Sequence, residues 1–175
     1  MLPKHSVCME IGVHTGNFSL QILRIVQPQV LHCVDPWKHE DSDTYKAACY
    51  GGQVTDGQAG MDNRYLAVCA RFDHAIRAGQ VEIHRGYSSD VLAQFPDDFF
   101  DWVYIDGNHL YEYVQKDLAL SFKKVKLRGY ITGDDYTDGG WWQGGVKKAV
   151  DEFIQARPVA VVLLCNGQFV LRKTG

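Results

Sequence analysis

The chain has 175 residues, a formal net charge of -3, 46% hydrophobic and 22% charged residues. That is enough for one domain spanning 1–175 with a full layered core, and the composition is that of a globular protein in water. The charge offers no footprint for nucleic acid, no apolar run is long enough to cross a bilayer, and no signal-peptide succession opens the chain. The expectation is a cytoplasmic protein with neither a nucleic acid nor a membrane as partner. Its five cysteines, an odd number and widely scattered, suit packed reduced thiols and not a disulfide framework or a cysteine-built zinc site.

In chain order, strand-like apolar runs alternate with helical periodicities, as in a parallel sheet. A strand over 6–13 leads through Gly12 and Gly16 into a helix over 17–26, and a second strand covers 30–34. The stretch 38–61 is then irregular, polar and glycine-bearing, with Tyr45 and Tyr50. A connection of that length following a strand reads either as a lid or substrate cap or as a floppy surface insertion. Beyond it come a helix over 62–78, a strand over 81–85, a helix over 88–94 and a strand over 100–105. A helix over 111–125 carries Val114, Leu118 and Phe122 at helical spacing, and the basic cluster FKKVKLR reads as its solvated end. Strands over 129–133, 159–165 and 168–172 and a helix over 145–156 complete the order. Asn166-Gly167 between the last two strands is a strong hairpin signal, so that pair is antiparallel and is appended to a parallel set.

Acids close four of the parallel strands, namely Glu10, Asp35, Asp106 and the pair Asp134-Asp135. One such acid is explained as a cap, but four converging on the crevice where open α/β sheets hold ligands are not. The first turn has G-x-x-x-G, with His14 where a dinucleotide fingerprint has its middle glycine, which weakens a pyrophosphate cradle. An acid within that strand end favours a ligand with hydroxyls or an ammonium. Asp35 sits where an acid commonly accepts bonds from a ribose diol; Ser88 either meets an adenine edge or caps the helix it begins. Asp106, Asp134 and Asp135 form a hard oxygen set suited to magnesium, whose charge would relieve their mutual repulsion. His109, three residues past Asp106, is either a general base or a helix-end residue that hydrogen-bonds locally. Trp141-Trp142 in a glycine-rich loop reads as a pocket wall.

The segments EIGVHTGNFS, VDPWKHE and FDWVYIDGNHLYEYVQKDLALSFKKVKLRGYITGDDY resemble class I S-adenosylmethionine-dependent methyltransferases. The branch is the methyltransferase-24 group, related to the cephalosporin and macrolide sugar O-methyltransferases, and the likeness covers about the whole chain. It implies a Rossmann-like, mostly parallel seven-stranded α/β sheet of order 3-2-1-4-5-7-6, helices on both faces and strand 7 antiparallel. By resemblance Glu10, Gly12 and Gly16 line the methionine part of S-adenosylmethionine, Asp35 holds the ribose, and Ser88 lies near the adenine. Asp106, counted with the cofactor residues, would also bind magnesium with Asp134 and Asp135, and His109 falls where some members place a base. The implied activity is O-methylation of a small-molecule acceptor. The chain starts almost at strand one, without the N-terminal helices of many relatives, which leaves the acceptor class and quaternary state open and a homodimer as one expectation. A cofactor-binding relative without transferase activity and a nicotinamide-dependent oxidoreductase are the competing readings.

Overall fold

The computed structural model describes residues 2–48 and 55–175. Its strands are β1 (Val7–Ile11), β2 (Val30–Asp35), β3 (Val81–Arg85), β4 (Phe100–Ile105), β5 (Val125–Gly133), β6 (Val159–Cys165) and β7 (Gln168–Lys173). The helices are α1 (Asn17–Ile25), α2 (Gly57–Arg77), α3 (Ser88–Leu92), α4 (Tyr111–Lys124) and α5 (Gly145–Ala156), with a single 3-10 turn at Asp43–Tyr45. The sheet has seven strands in the order β3-β2-β1-β4-β5-β7-β6. Pairs β1–β2, β1–β4, β2–β3 and β4–β5 are parallel, whereas β7 runs antiparallel to both β5 and β6. This is the Rossmann-like order expected from the sequence.

Alternation along the strands divides the core between the two sheet faces. Cys8, Leu31, Cys33 and Trp102 pack with Val68 and Phe72 of α2 on one side. Met9, Val103, Ile131, Phe169 and Leu171 pack with Leu118 of α4 and Val150 and Phe153 of α5 on the other. Trp102 is fully buried and satisfies its ring N–H by donating to Ser6 Oγ at 2.8 Å. Strand β6 lies at the sheet's edge, where Val161, Val162, Leu163 and Leu164 are exposed. Among the described residues no helix is long and apolar enough to cross a membrane.

Several boundaries differ from the sequence reading, and three of them have a plain local reason. Strand β1 stops at Ile11 and not at residue 13, because Gly12 turns the chain at φ 93°. Helix α4 ends at Lys124, and Val125 already has extended dihedrals (φ -82°, ψ 135°), pairs with Phe100 and is fully buried. The FKKVKLR cluster is therefore not one helix end: its second half belongs to β5, where Lys126 pairs with Asp101 at 2.7 Å. Helix α2 begins at Gly57 and not at residue 62, so it takes in the end of the irregular stretch and fully buries Met61. Residues 49–54 of that stretch, Tyr50 included, lie outside the described residues.

Candidate active site

The carboxyl ends of β2, β1, β4 and β5 lie side by side, and the loops leaving them meet where open α/β sheets hold ligands in a crevice. Gly12 donates to Val34 O at 2.9 Å while Asp106 N donates to Ile11 O at 2.8 Å, which draws the β1 and β4 exits together. A Cβ on Gly12 would stand 1.8 Å from the Asp106 carbonyl oxygen, so only glycine fits there. Gly16 is left-handed at φ 75° and precedes α1; a Cβ there would meet the Phe72 ring at 2.7 Å. Both glycines are thus required by packing, and their turn leaves the start of α1 facing the crevice.

Asp35 is fully buried. Its Oδ2 accepts the N–H groups of Val13 at 3.0 Å and His14 at 2.9 Å, and its Oδ1 accepts that of Trp37 at 2.7 Å. Trp37 in turn donates its indole N–H to His14 O at 2.9 Å. The residue expected at a ribose diol therefore holds the β1 and β2 exit loops in register. A diol would share these two oxygens with the three backbone donors. His14, to which the sequence assigned no partner, has Arg64 of α2 against its Nε2 at 2.7 Å.

Glu10 is buried to 1% and accepts a hydrogen bond from Ser19 Oγ of α1. Burial, opposed by that hydrogen bond and reinforced by the charges of Asp106 and Asp35, pushes its carboxyl up to about 8. The native state thus keeps a proton that the unfolded chain releases near pH 4.5, and stability falls as pH rises from there towards 8. Asp106, pushed up to about 7 chiefly by burial, acts in the same direction. His32, held down to about 4 chiefly by burial, acts oppositely, but its contribution is complete by pH 6.5. Between about pH 6.5 and 8 the ligand-free protein is expected to lose stability, and Glu10→Gln should flatten that decline by an amount on the order of a few kcal/mol. Denaturant unfolding across this range checks it; an unchanged slope in the variant would remove Glu10 as the source.

At the ends of β4 and β5, His109 Nε2 lies 2.6 Å from Asp135 Oδ2 and 4.0 Å from Asp106 Oδ1. Burial disfavours the charged ring, yet the hydrogen bond and charge of Asp135, with the charge of Asp106, raise the His109 pKa overall. Donor atoms of Asp106, His109 and Asp135 all lie within 4.8 Å of one another, close enough to share a cation. The membership differs from the three-aspartate set read from sequence. Asp134 Oδ1 accepts the Asp135 N–H at 2.8 Å, and Asp135, left-handed at φ 59°, turns its own carboxylate to His109. One nitrogen and two carboxylates suit a borderline first-row cation at least as well as magnesium.

Trp141 stacks on His109 with centroids 5.8 Å apart, and Trp142 meets the same ring edge-on at 4.9 Å. The two adjacent tryptophans thus wall the histidine, while Trp142 also packs against the core. The stretch read as a lid reaches this wall: Asn108 Nδ2 donates to Tyr45 Oη at 2.7 Å, and the Tyr45 ring meets Trp141 at 5.5 Å. Ser88 is not the cap that one reading of the sequence made it. It makes no capping bond to α3, and its hydroxyl donates at 2.5 Å to Asp117 of α4, a carboxyl that burial pushes up to about 6. Near it Lys38 Nζ donates to Tyr87 Oη at 2.8 Å, forming the outer edge of the crevice.

A family described as a methyltransferase domain, the methyltransferase-24 family, matches residues 9–136, which spans every strand end just described except those of β6 and β7. The chain belongs to this family. Its members are S-adenosylmethionine-dependent methyltransferases, so S-adenosylmethionine is the cofactor class that the family implies. An uncharacterized protein of Acanthamoeba polyphaga mimivirus is 33% identical over 88 residues, which are 47% of this chain and 38% of that protein. The chain thus spans well under two thirds of the curated relative it matches. Among solved structures, a Staphylococcus aureus protein assigned as a caffeoyl-CoA O-methyltransferase has a TM-score of 0.67 at 13% identity, over 97% of this chain and 77% of that one. The N-methyltransferase NodS of Bradyrhizobium japonicum has a TM-score of 0.61 at 13% identity, over 99% and 88%. A Streptococcus mutans protein assigned as a methyltransferase, in complex with SAH, has a TM-score of 0.60 at 11% identity, over 99% and 91%. At these identities the likeness is one of fold.

Proposed function

We propose that this methyltransferase transfers the methyl group of S-adenosylmethionine to a hydroxyl oxygen of a small-molecule acceptor bound beside the His109 loop and the Tyr45–Trp141 wall that packs on it. The observation that carries this reading is the His109–Asp135 pair, 2.6 Å apart and beside Asp106 at the end of β4. A hydroxyl attacks the sulfonium carbon well only as its proton leaves, and a histidine oriented by a carboxylate is suited to take that proton. Asp135 fixes the imidazole and stabilises it once protonated. The aromatic wall excludes water from the transfer path and offers a flat surface to the acceptor.

Glu10 and Asp106 give the floor a capacity for negative charge that matches a cationic cofactor. Buried and neutral without ligand, Glu10 can give up its proton when the cofactor's ammonium or sulfonium arrives. Asp35 supports this floor through the Val13–His14 turn and, if its backbone bonds open, accepts from the ribose. Asp106, His109 and Asp135 would hold a divalent cation, which when bound lowers the pKa of a coordinated hydroxyl. Were a cation held there, His109 would be one of its ligands; without one, His109 is the base.

His109→Gln is expected to lower turnover by about a hundredfold or more while leaving cofactor affinity within about threefold. Turnover would be followed as S-adenosylhomocysteine formed over a panel of hydroxylated acceptors. Loss of turnover in excess chelator assigns the cation-bound state, and full turnover in chelator assigns the free base. A His109→Gln variant as active as the parent would end this reading of the site.

A further inference from the structure

A second cluster of ligating side chains lies away from the crevice, in the middle of the β2–β3 pair. His32 on β2 stands opposite Glu82 on edge strand β3, and Val34 opposite His84. Period-two alternation therefore puts His32, Glu82 and His84 on one face. His32 Nδ1 is 3.0 Å from His84 Nε2 and 3.4 Å from Glu82 Oε2, and the latter two atoms are 4.0 Å apart. Ligand atoms on a tetrahedral zinc at about 2.0–2.1 Å stand about 3.3–3.4 Å from each other. The triangle brackets that edge length.

We propose that His32, Glu82 and His84 bind a zinc ion, with water in the fourth position. Without a cation the three atoms are poorly matched. A single ring proton between the two imidazoles would have to serve the second imidazole nitrogen and the Glu82 carboxylate together, whereas a cation satisfies all three. The site is also built. Phe95 and Phe100 meet the His32 ring edge-on with centroids at 4.9 Å and 5.5 Å, and Phe95 meets His84 at 5.7 Å. His32 is buried at 4% exposure, while the Glu82 side chain is 54% exposed, so an ion can enter from solvent past the carboxylate. The Asp106, His109 and Asp135 cluster, which competes for added metal, shares no residue with this one, so Asp135→Asn weakens the competitor alone.

The test is titration of metal-free protein with Co2+ as a coloured probe, followed by displacement with Zn2+. Parent and Asp135→Asn proteins should both show the intense visible absorption of tetrahedral Co2+. Glu82→Gln and His84→Gln should bind at least about tenfold more weakly. Both altered side chains are partly exposed, and circular dichroism would verify that each variant keeps its fold. Tetrahedral Co2+ binding that survives in His84→Gln, vanishes in Asp135→Asn, or is absent from the parent would overturn the proposal.

Discussion

Gly12→Ala should destabilise the protein by about 3–5 kcal/mol and abolish measurable S-adenosylmethionine binding. Two costs combine at this position. The backbone is at φ 93°, where a side chain is strained, and the added Cβ would lie 1.8 Å from the carbonyl oxygen of Asp106. That neighbour is main chain, not a flexible side-chain end, so relief must come from moving β4 away from β1. Such a shift breaks the Gly12–Val34 and Asp106–Ile11 bonds that shape the crevice floor. Gly139→Ala is the control: its Cβ would meet nothing within 4 Å, and the change should stay within about 0.5 kcal/mol. Denaturant midpoints for both variants check the contrast, and a Gly12→Ala protein of parental stability would refute the close approach.

Asp35→Asn should cost about 2–4 kcal/mol in the ligand-free protein. The parent carboxylate accepts three backbone N–H bonds across its two oxygens. An amide keeps one acceptor oxygen and turns an NH2 group towards backbone donors, so at least one of Val13, His14 and Trp37 is left buried and unpaired. The loss of cofactor affinity should follow the loss of stability, because the turn that faces the cofactor is the structure released. A variant that keeps parental stability while losing affinity alone would show that the ribose, and not the turn, is the partner of this carboxylate.

These two positions also show where sequence reading succeeds and where it stops. The acids at the strand ends were legible because apolar runs, helical spacing and glycine turns locate the ends of β1, β2, β4 and β5. What each carboxylate touches was not. Asp35 meets Val13 and His14, some twenty residues away, through a bond that depends on the turn's dihedrals. At Asp134-Asp135 the sequence shows two equivalent acids; the left-handed backbone at Asp135 decides which one faces His109. Ser88 was weighed between a cap and an adenine contact, and its partner is Asp117, whose burial becomes visible only once α3 and α4 pack. The tyrosine of the 38–61 stretch was noted, but its bond to Asn108 spans 63 positions. The His32, Glu82 and His84 cluster depends on strand register, which periodicity alone does not fix.

The most direct test of this account is calorimetric titration of S-adenosylmethionine into the protein at about pH 7.5, repeated in buffers of different ionisation enthalpy. The account predicts binding with a Kd on the order of micromolar. It also predicts net proton release, as the cationic cofactor converts buried, neutral Glu10 to its anion. Absence of binding at millimolar cofactor would contradict the assignment of the crevice, and binding with no proton release would contradict the role given to Glu10.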